Sequence, residues 1–124
     1  MREPKPKCVL VTGGRDYRDD KRVFDELDLF NPDFVIEGGA TGADAMARKW
    51  AEQHGVHYAT VPALWSAHGK PAGPRRNAVM VTLLKALETF GYECRVIAFP
   101  GGPGTRSCVS IAEERELFIK RIED

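Results

Sequence analysis

A chain of 124 residues with 43% hydrophobic and 29% charged residues has the composition of an ordinary globular protein with one modest core. Its 18 basic and 18 acidic residues cancel, which gives no support to nucleic-acid binding by bulk charge. No apolar run approaches the roughly 20 residues that span a bilayer, so no membrane segment is expected.

The start, Met1 to Lys7, lacks the apolar segment of a signal peptide. The three cysteines have neither CxxC nor Cys/His ligand spacing, which argues against a disulfide framework and against a metal site. Reduced thiols without a chemical role and a cytoplasmic setting fit best. Residues 1–6 read as a flexible N-terminus and residues 7–124 as one domain, without repeat or linker.

Cys8-Val9-Leu10-Val11 is a continuous apolar run, the signature of a strand buried on both faces. From about Asp20 to Phe30 the spacing predicts a helix with Val23, Phe24 and Leu27 inward, stopped by Asn31-Pro32. Phe34 to Ile36 is the second strand. A helix from Gly42 to His54 carries the stripe Ala43, Met46, Ala47, Trp50 and Ala51, and Gly55 ends it. His57 to Val61 alternates as a short strand. A long loop from Pro62 to Gly73 follows, of a length that is often functional. Pro74 suits the first position of the next helix, with Met80, Leu83, Leu84 and Leu87 inward and Gly91 closing it. Arg95 to Phe99 is the fourth strand, and Thr105 to about Arg115 a helix with Cys108, Ile111 and Ala112 inward. The last segment, Leu117 to Ile122, reads as an edge strand, with a continued helix as the rival.

Repeated strand–helix alternation predicts an α/β fold, a doubly wound parallel sheet of about five strands with helices on both faces. Ligands in such sheets bind beyond the carboxyl ends of the strands, where strand order reverses. Three glycine-rich turns fall at carboxyl ends of strands: Thr12-Gly13-Gly14-Arg15-Asp16, Gly38-Gly39-Ala40-Thr41-Gly42-Ala43-Asp44 and Pro100-Gly101-Gly102-Pro103-Gly104-Thr105. Turns of this kind leave backbone N–H groups aimed at one spot, an arrangement that holds phosphate. The third turn does not match GxxxxGK[ST], which disfavours an ATP-hydrolysing P-loop, and it lacks the GxGxxG order.

The candidate phosphate- and ligand-binding residues are therefore Gly13, Gly14, Gly38, Gly39, Gly42, Gly101, Gly102, Gly104 and Thr105, the last as helix cap or hydroxyl donor. Thr41 and Asp44 have the spacing of a capping box, and Asp44 is equally placed to accept from sugar hydroxyls. Arg75 and Arg76 open a helix, where cations oppose the dipole unless an anion is near. Together with Arg15 and Arg106 they concentrate positive charge beside the turns; the alternative is solvated surface charge. Trp65 and Tyr17 are candidates for base stacking, Trp65 alternatively a pin for its loop, and His68 is a lone loop histidine of the kind usually just solvated.

Taken together, these turns, Tyr17 and the series Trp65…His68-Gly69-Lys70…Ala72-Gly73-Pro74…Arg76-Asn77…Met80 resemble the SLOG superfamily, in particular its YspA-like, YpsA-related branch, over about residues 8–122. The resemblance implies a Rossmann-like sheet and a site for a nucleotide or nucleotide-derived ligand, with Arg15, Arg76 and Arg106 neutralising phosphate and Asp44 and Asn77 taking sugar or polar contacts. Its enzymatic relatives, the Lonely Guy phosphoribohydrolases, cleave the N-glycosidic bond of nucleoside monophosphates and carry PGGxGT followed closely by glutamate. Arg76 looks like their early helix arginine. Here Arg106-Ser107-Cys108-Val109 follow Thr105 instead, and Leu64 stands where the branch has Asp. A glycosidase needs a carboxylate; the catalytic candidates are thus Asp44 or Glu37, with Arg76. The expectation is a binder of nucleotide-derived small molecules acting as sensor or processing domain. A nucleotide N-glycosidase is the alternative and a nucleic-acid-binding module the second. No cofactor and no metal are expected, and a homodimer or higher homo-oligomer is.

Overall fold

The computed structural model describes residues 4–123. The elements run β1 (Lys7–Thr12), α1 (Asp20–Phe30), β2 (Phe34–Glu37), α2 (Ala43–His54), β3 (His57–Thr60), α3 (Trp65–His68), α4 (Ala72–Thr89), β4 (Glu93–Ala98), α5 (Pro103–Glu114) and β5 (Ile119–Arg121). All five strands are parallel, in the order β3-β2-β1-β4-β5. The chain grows outward from β1 through β2 to β3, then crosses back to lay β4 on the other side of β1. Strand order therefore reverses between β1 and β4. Of the tip expected over residues 1–6, Met1 to Glu3 lie outside the described residues, and the Pro6 carbonyl accepts from Glu93 N–H at 2.8 Å.

The continuous apolar runs serve both faces of the sheet, as strands covered by helices on each side require. Val9 and Val11 of β1, with Val35 and Ile97, pack into one core against Val23 and Leu27 of α1 and Ala47 and Trp50 of α2. Cys8 and Leu10, with Ile36 and Val96, enter a second core with Met80 and Leu84 of α4 and Cys108 and Ala112 of α5. α1 starts on Asp19, whose side chain accepts from Arg22 N–H at 3.0 Å, and stops at left-handed Asn31 before Pro32. Trp50 Nε1 donates to Asp28 Oδ1 at 2.9 Å and so links α2 to α1.

Three expectations need correction. The segment expected to be loop from Pro62 to Gly73 contains α3, and α4 begins two residues ahead of Pro74. Pro74 lies in the first turn, where a missing N–H breaks no helical bond. α5 begins at Pro103 with Gly102 as its cap, so Thr105 sits inside the helix rather than capping it. The last segment, by contrast, is the edge strand expected and not the rival helix, with Val96 opposite Ile119, and its pairing to β4 buries Leu117 and Ile122.

Candidate functional site

The three glycine turns meet at the reversal point, and Gly14 joins them. Its N–H donates to the Pro100 carbonyl at 2.9 Å, and its carbonyl accepts from Ala43 N–H at 3.3 Å and Tyr17 N–H at 3.2 Å. The approach is close enough that a Cβ on Gly13 would lie 2.7 Å from Ala43 Cβ and 2.9 Å from Phe99 Cβ. At Gly42, φ is 72°, and a Cβ there would run into the Gly14 carbonyl and the Arg15 backbone. These glycines are dictated by packing of one turn on another.

The capping-box reading of Thr41 and Asp44 does not hold. Gly42 is the cap of α2 and no side chain caps it. Thr41 Oγ1 instead donates to the Arg15 carbonyl at 3.0 Å. Asp44 Oδ2 accepts from Gly38 N–H at 3.1 Å and Ala40 N–H at 3.3 Å, holding the preceding turn. Asp44 is only 6% exposed, and the carboxyl is part of the cavity wall. Burial is the main force on it and pushes its pKa up to about 6, with Glu37 adding to the rise; the Ala40 and Gly38 N–H groups and Arg76 oppose it.

Arg76 and Asn77 tie this turn to α5. Arg76 Nη1 donates to the Gly38 carbonyl at 2.5 Å and Nε to Asn77 Oδ1 at 2.9 Å. Asn77 Nδ2 donates to the Gly104 carbonyl at 3.2 Å and to Ser107 Oγ at 3.4 Å. Asn77 is buried, with both ends of its amide occupied, so it braces the site's walls instead of offering free donors to a ligand.

Between these walls lies a cavity of about 420 Å³, within the roughly 300–1,000 Å³ usual for small-molecule sites. Gly13, Gly14 and Arg15 contribute from the first turn, Asp44 from α2, Arg76 and Asn77 from α4, and Gly102, Gly104 and Thr105 from α5. The N-terminus of α5 opens into it with no side-chain cap. A Cβ on Gly102 or Gly104 would touch nothing, so these two glycines leave space rather than accommodate a neighbour. An uncapped helix start carries partial positive charge and unpaired donors. Trp65 stands at the mouth, 49% exposed, packed over Gly73 and with the Arg15 guanidinium 5.9 Å from its ring.

Other candidates are placed elsewhere. Gly38 and Gly39 border an adjoining recess, and a Cβ on Gly101 would meet the Thr105 hydroxyl. Glu37 is fully buried away from the cavity; Oε1 accepts from Gly39 N–H at 2.6 Å and Oε2 from the Thr60 hydroxyl. It anchors this turn to β3. Tyr17 is buried against Phe99, ring centroids 5.5 Å apart, and presents no face for stacking. Arg106 points to a different cavity, with Glu113 and Arg121, and exposed Arg75 bonds His68 at 3.1 Å. Burial pushes all three thiols up, Cys94 and Cys108 to about 11, which favours their protonated form. No cluster of metal-ligating side chains occurs among the described residues.

Sequence reasoning passed over Thr12 and Ser107 as wall residues. It also passed over a charge pattern: no Asp or Glu occurs between Glu52 and Glu88. That acid-free segment supplies Trp65 and Arg76 to the cavity wall and carries Lys70, Arg75 and Lys85 besides, so charge along it is positive although the total is zero.

Residues 7–68 match the YspA, cpYpsA-related SLOG family. The gene 61 protein of Mycobacterium phage D29 is 37% identical over 130 aligned positions, covering 94% of this chain and 96% of that protein. Among solved structures, the DNA processing protein A (DprA) of Streptococcus pneumoniae superposes with a TM-score of 0.70 at 19% identity. The match covers 97% of this chain and 51% of that one, so the chain spans about half the length of DprA. The C-terminal domain of the PF1911 hydrogenase of Pyrococcus furiosus superposes with a TM-score of 0.50 at 14% identity, over 98% of this chain and 97% of that domain. At such identities the two structures share the fold alone. The family match spans the first two glycine turns, the phage relative aligns with nearly the whole chain, and the chain belongs to the YspA, cpYpsA-related SLOG family.

Proposed function

We propose that the chain binds a nucleotide or nucleotide-derived phosphate, as a sensor or processing domain. One observation carries the reading: the uncapped start of α5, with glycines that leave room, opens into the same cavity as a buried carboxylate whose Oδ2 alone is occupied by the protein. The α5 turn suits a phosphate. Asp44 suits sugar hydroxyls, and the exposed indole of Trp65 suits a base. Arg15 and Arg76 add the cations. The absence of a glutamate just beyond Thr105 and the withdrawal of Glu37 favour holding a nucleotide over cleaving it. The thiols and a nucleotide ligand fit a cytoplasmic setting. A second copy of the chain would pair over the outer face of α4 and its end, where Val79 and Phe90 are exposed, and light scattering of the purified protein reads that state.

Thermal unfolding with nucleoside mono- and diphosphates of the four bases tests the reading. A ligand at 100 times its Kd stabilises by about 2.7 kcal/mol, and no rise in Tm across the panel refutes it. A second reading, single-stranded nucleic acid, draws on the acid-free segment that carries Trp65, Lys70 and Arg75 and on the fold shared with DprA, a DNA processing protein. Salt-sensitive anisotropy of a labelled oligonucleotide supports it, and absence of binding at low salt removes it.

A further inference from the structure

The segment between β3 and α4 is held at its two ends and by little else. Before it, Val61 N–H donates to the Glu37 carbonyl at 2.9 Å; after it, Ala72 N–H donates to the Gly69 carbonyl at 3.0 Å. Between these points α3 bonds to itself. The Leu64 carbonyl accepts from Ala67 and His68 N–H, and the Trp65 carbonyl from Gly69 N–H at 2.8 Å. Among the described residues, no backbone hydrogen bond ties residues 62–68 to another element. Leu64 to Pro71 are all exposed, and no residue of α3 is buried. A piece with so few outside contacts opens independently of the core.

Side chains seat it lightly. The Trp65 ring lies on Gly73, where an added Cβ would come within 3.3 Å of Cη2. Arg75 Nη1 donates to His68 Nδ1 at 3.1 Å, in an exposed bond. The ends are free to turn. Gly69 has φ 63° and ψ −140°, a conformation that favours glycine, although a Cβ there would meet no atom. Backbone geometry and not packing therefore calls for this glycine. At the other end the chain leaves Val61 through Pro62, which has no N–H to add a second bond.

This loosely held piece carries the indole at the mouth. Trp65 lines the main cavity and also an adjoining recess of about 300 Å³, and Leu64 beside it is 55% exposed. Two neighbouring large apolar side chains left in water gain from any pose that covers them.

We propose that residues 62–69 form a lid that turns on Pro62 and Gly69 and closes Trp65 over an occupant of the cavity; that this occupant is a nucleotide rests on the reading above. In the empty protein the ring stays on Gly73. An occupant with a flat or apolar face gives the ring a better surface, and this difference in contact shifts the lid toward closure. Closure then slows escape of the occupant, as lids over binding sites do.

Hydrogen exchange and cleavage by chymotrypsin after Leu64 and Trp65 test this. In the free protein, amides 65–69 should be protected at least a hundredfold less than those of Met80 to Leu84 in α4. Protection within tenfold of α4 makes the segment part of the rigid body and overturns the inference. Gly73→Ala, which pushes the ring off its seat, and His68→Ala, which removes the bond to Arg75, should each speed cleavage at least threefold with the unfolding transition unchanged. No acceleration in either variant overturns the inference without reference to any ligand. A nucleoside mono- or diphosphate that raises Tm should slow both exchange at 65–69 and cleavage at least tenfold. A nucleotide that raises Tm and leaves both rates unchanged overturns the lid and spares the nucleotide reading. If no nucleotide raises Tm, that reading falls and closure over a nucleotide falls with it.

Discussion

Asp44 is a stability defect, and removing it should reveal its size. The carboxyl is displaced from its ordinary 3.8 to about 6, chiefly by burial. Two units correspond to roughly 3 kcal/mol. Between pH about 4 and 6 the native protein retains a proton that the unfolded chain has released, so stability falls as pH rises through this window and stays low above it. Asp44→Asn keeps an oxygen for Gly38 N–H and Ala40 N–H and removes the charge. The variant should be more stable than the wild type by up to about 3 kcal/mol at pH 8, on the order of 10 °C in Tm for a chain of this size. The gap should shrink as pH falls and vanish near pH 4, where the wild-type carboxyl is itself neutral. Chemical unfolding of both proteins from pH 4 to pH 8 measures this. An Asn variant no more stable at pH 8 than at pH 4, relative to wild type, refutes the claim that Asp44 is held ionised against its surroundings. On the proposed reading the same variant should also bind nucleotide more weakly, because strongly shifted acids are concentrated at functional sites.

Gly104→Ala separates packing from ligand space. Its Cβ meets no atom, so helix propensity should raise stability by roughly 0.5–1 kcal/mol while the nucleotide-induced rise in Tm shrinks; an unchanged rise contradicts a ligand on the α5 turn. Gly42→Ala should do the reverse and cost at least ~3 kcal/mol in urea unfolding, since it combines a φ of 72° with collision against the Gly14 carbonyl; a loss below ~1 kcal/mol contradicts the account of the turn. Trp50 is buried and Trp65 stands at the mouth, so ligand-induced change in tryptophan emission should disappear in Trp65→Phe, and its persistence would move the base elsewhere.

Local patterns carried the elements. Residues spaced along one helical face predicted α1 and α2, and apolar runs bounded by glycine predicted the strands, because those signals depend only on which neighbours share a face. The carboxyl-end turns were legible for the same reason. Local patterns also misled where a distant partner outbid a near one. Thr41 and Asp44 have the spacing of a capping box, yet Thr41 bonds the Arg15 carbonyl and Asp44 reaches back to Gly38 and Ala40. Tyr17 follows Arg15 closely but turns inward onto Phe99. Glu37 sits beside the glycines but spends both oxygens on Gly39 and Thr60.

By itself, the sequence determined the alternation of strand and helix, the two-sided burial of the sheet and the presence of three glycine junctions at strand ends, all properties of residues near one another along the chain. Only the tertiary structure decided that β4 lies beside β1, that Gly14 draws the three junctions onto one cavity, and that Asp44 and Arg76 face it while Glu37, Tyr17 and Arg106 do not. Those outcomes depend on hydrogen bonds and close approaches between residues far apart in the chain, which no local spacing encodes.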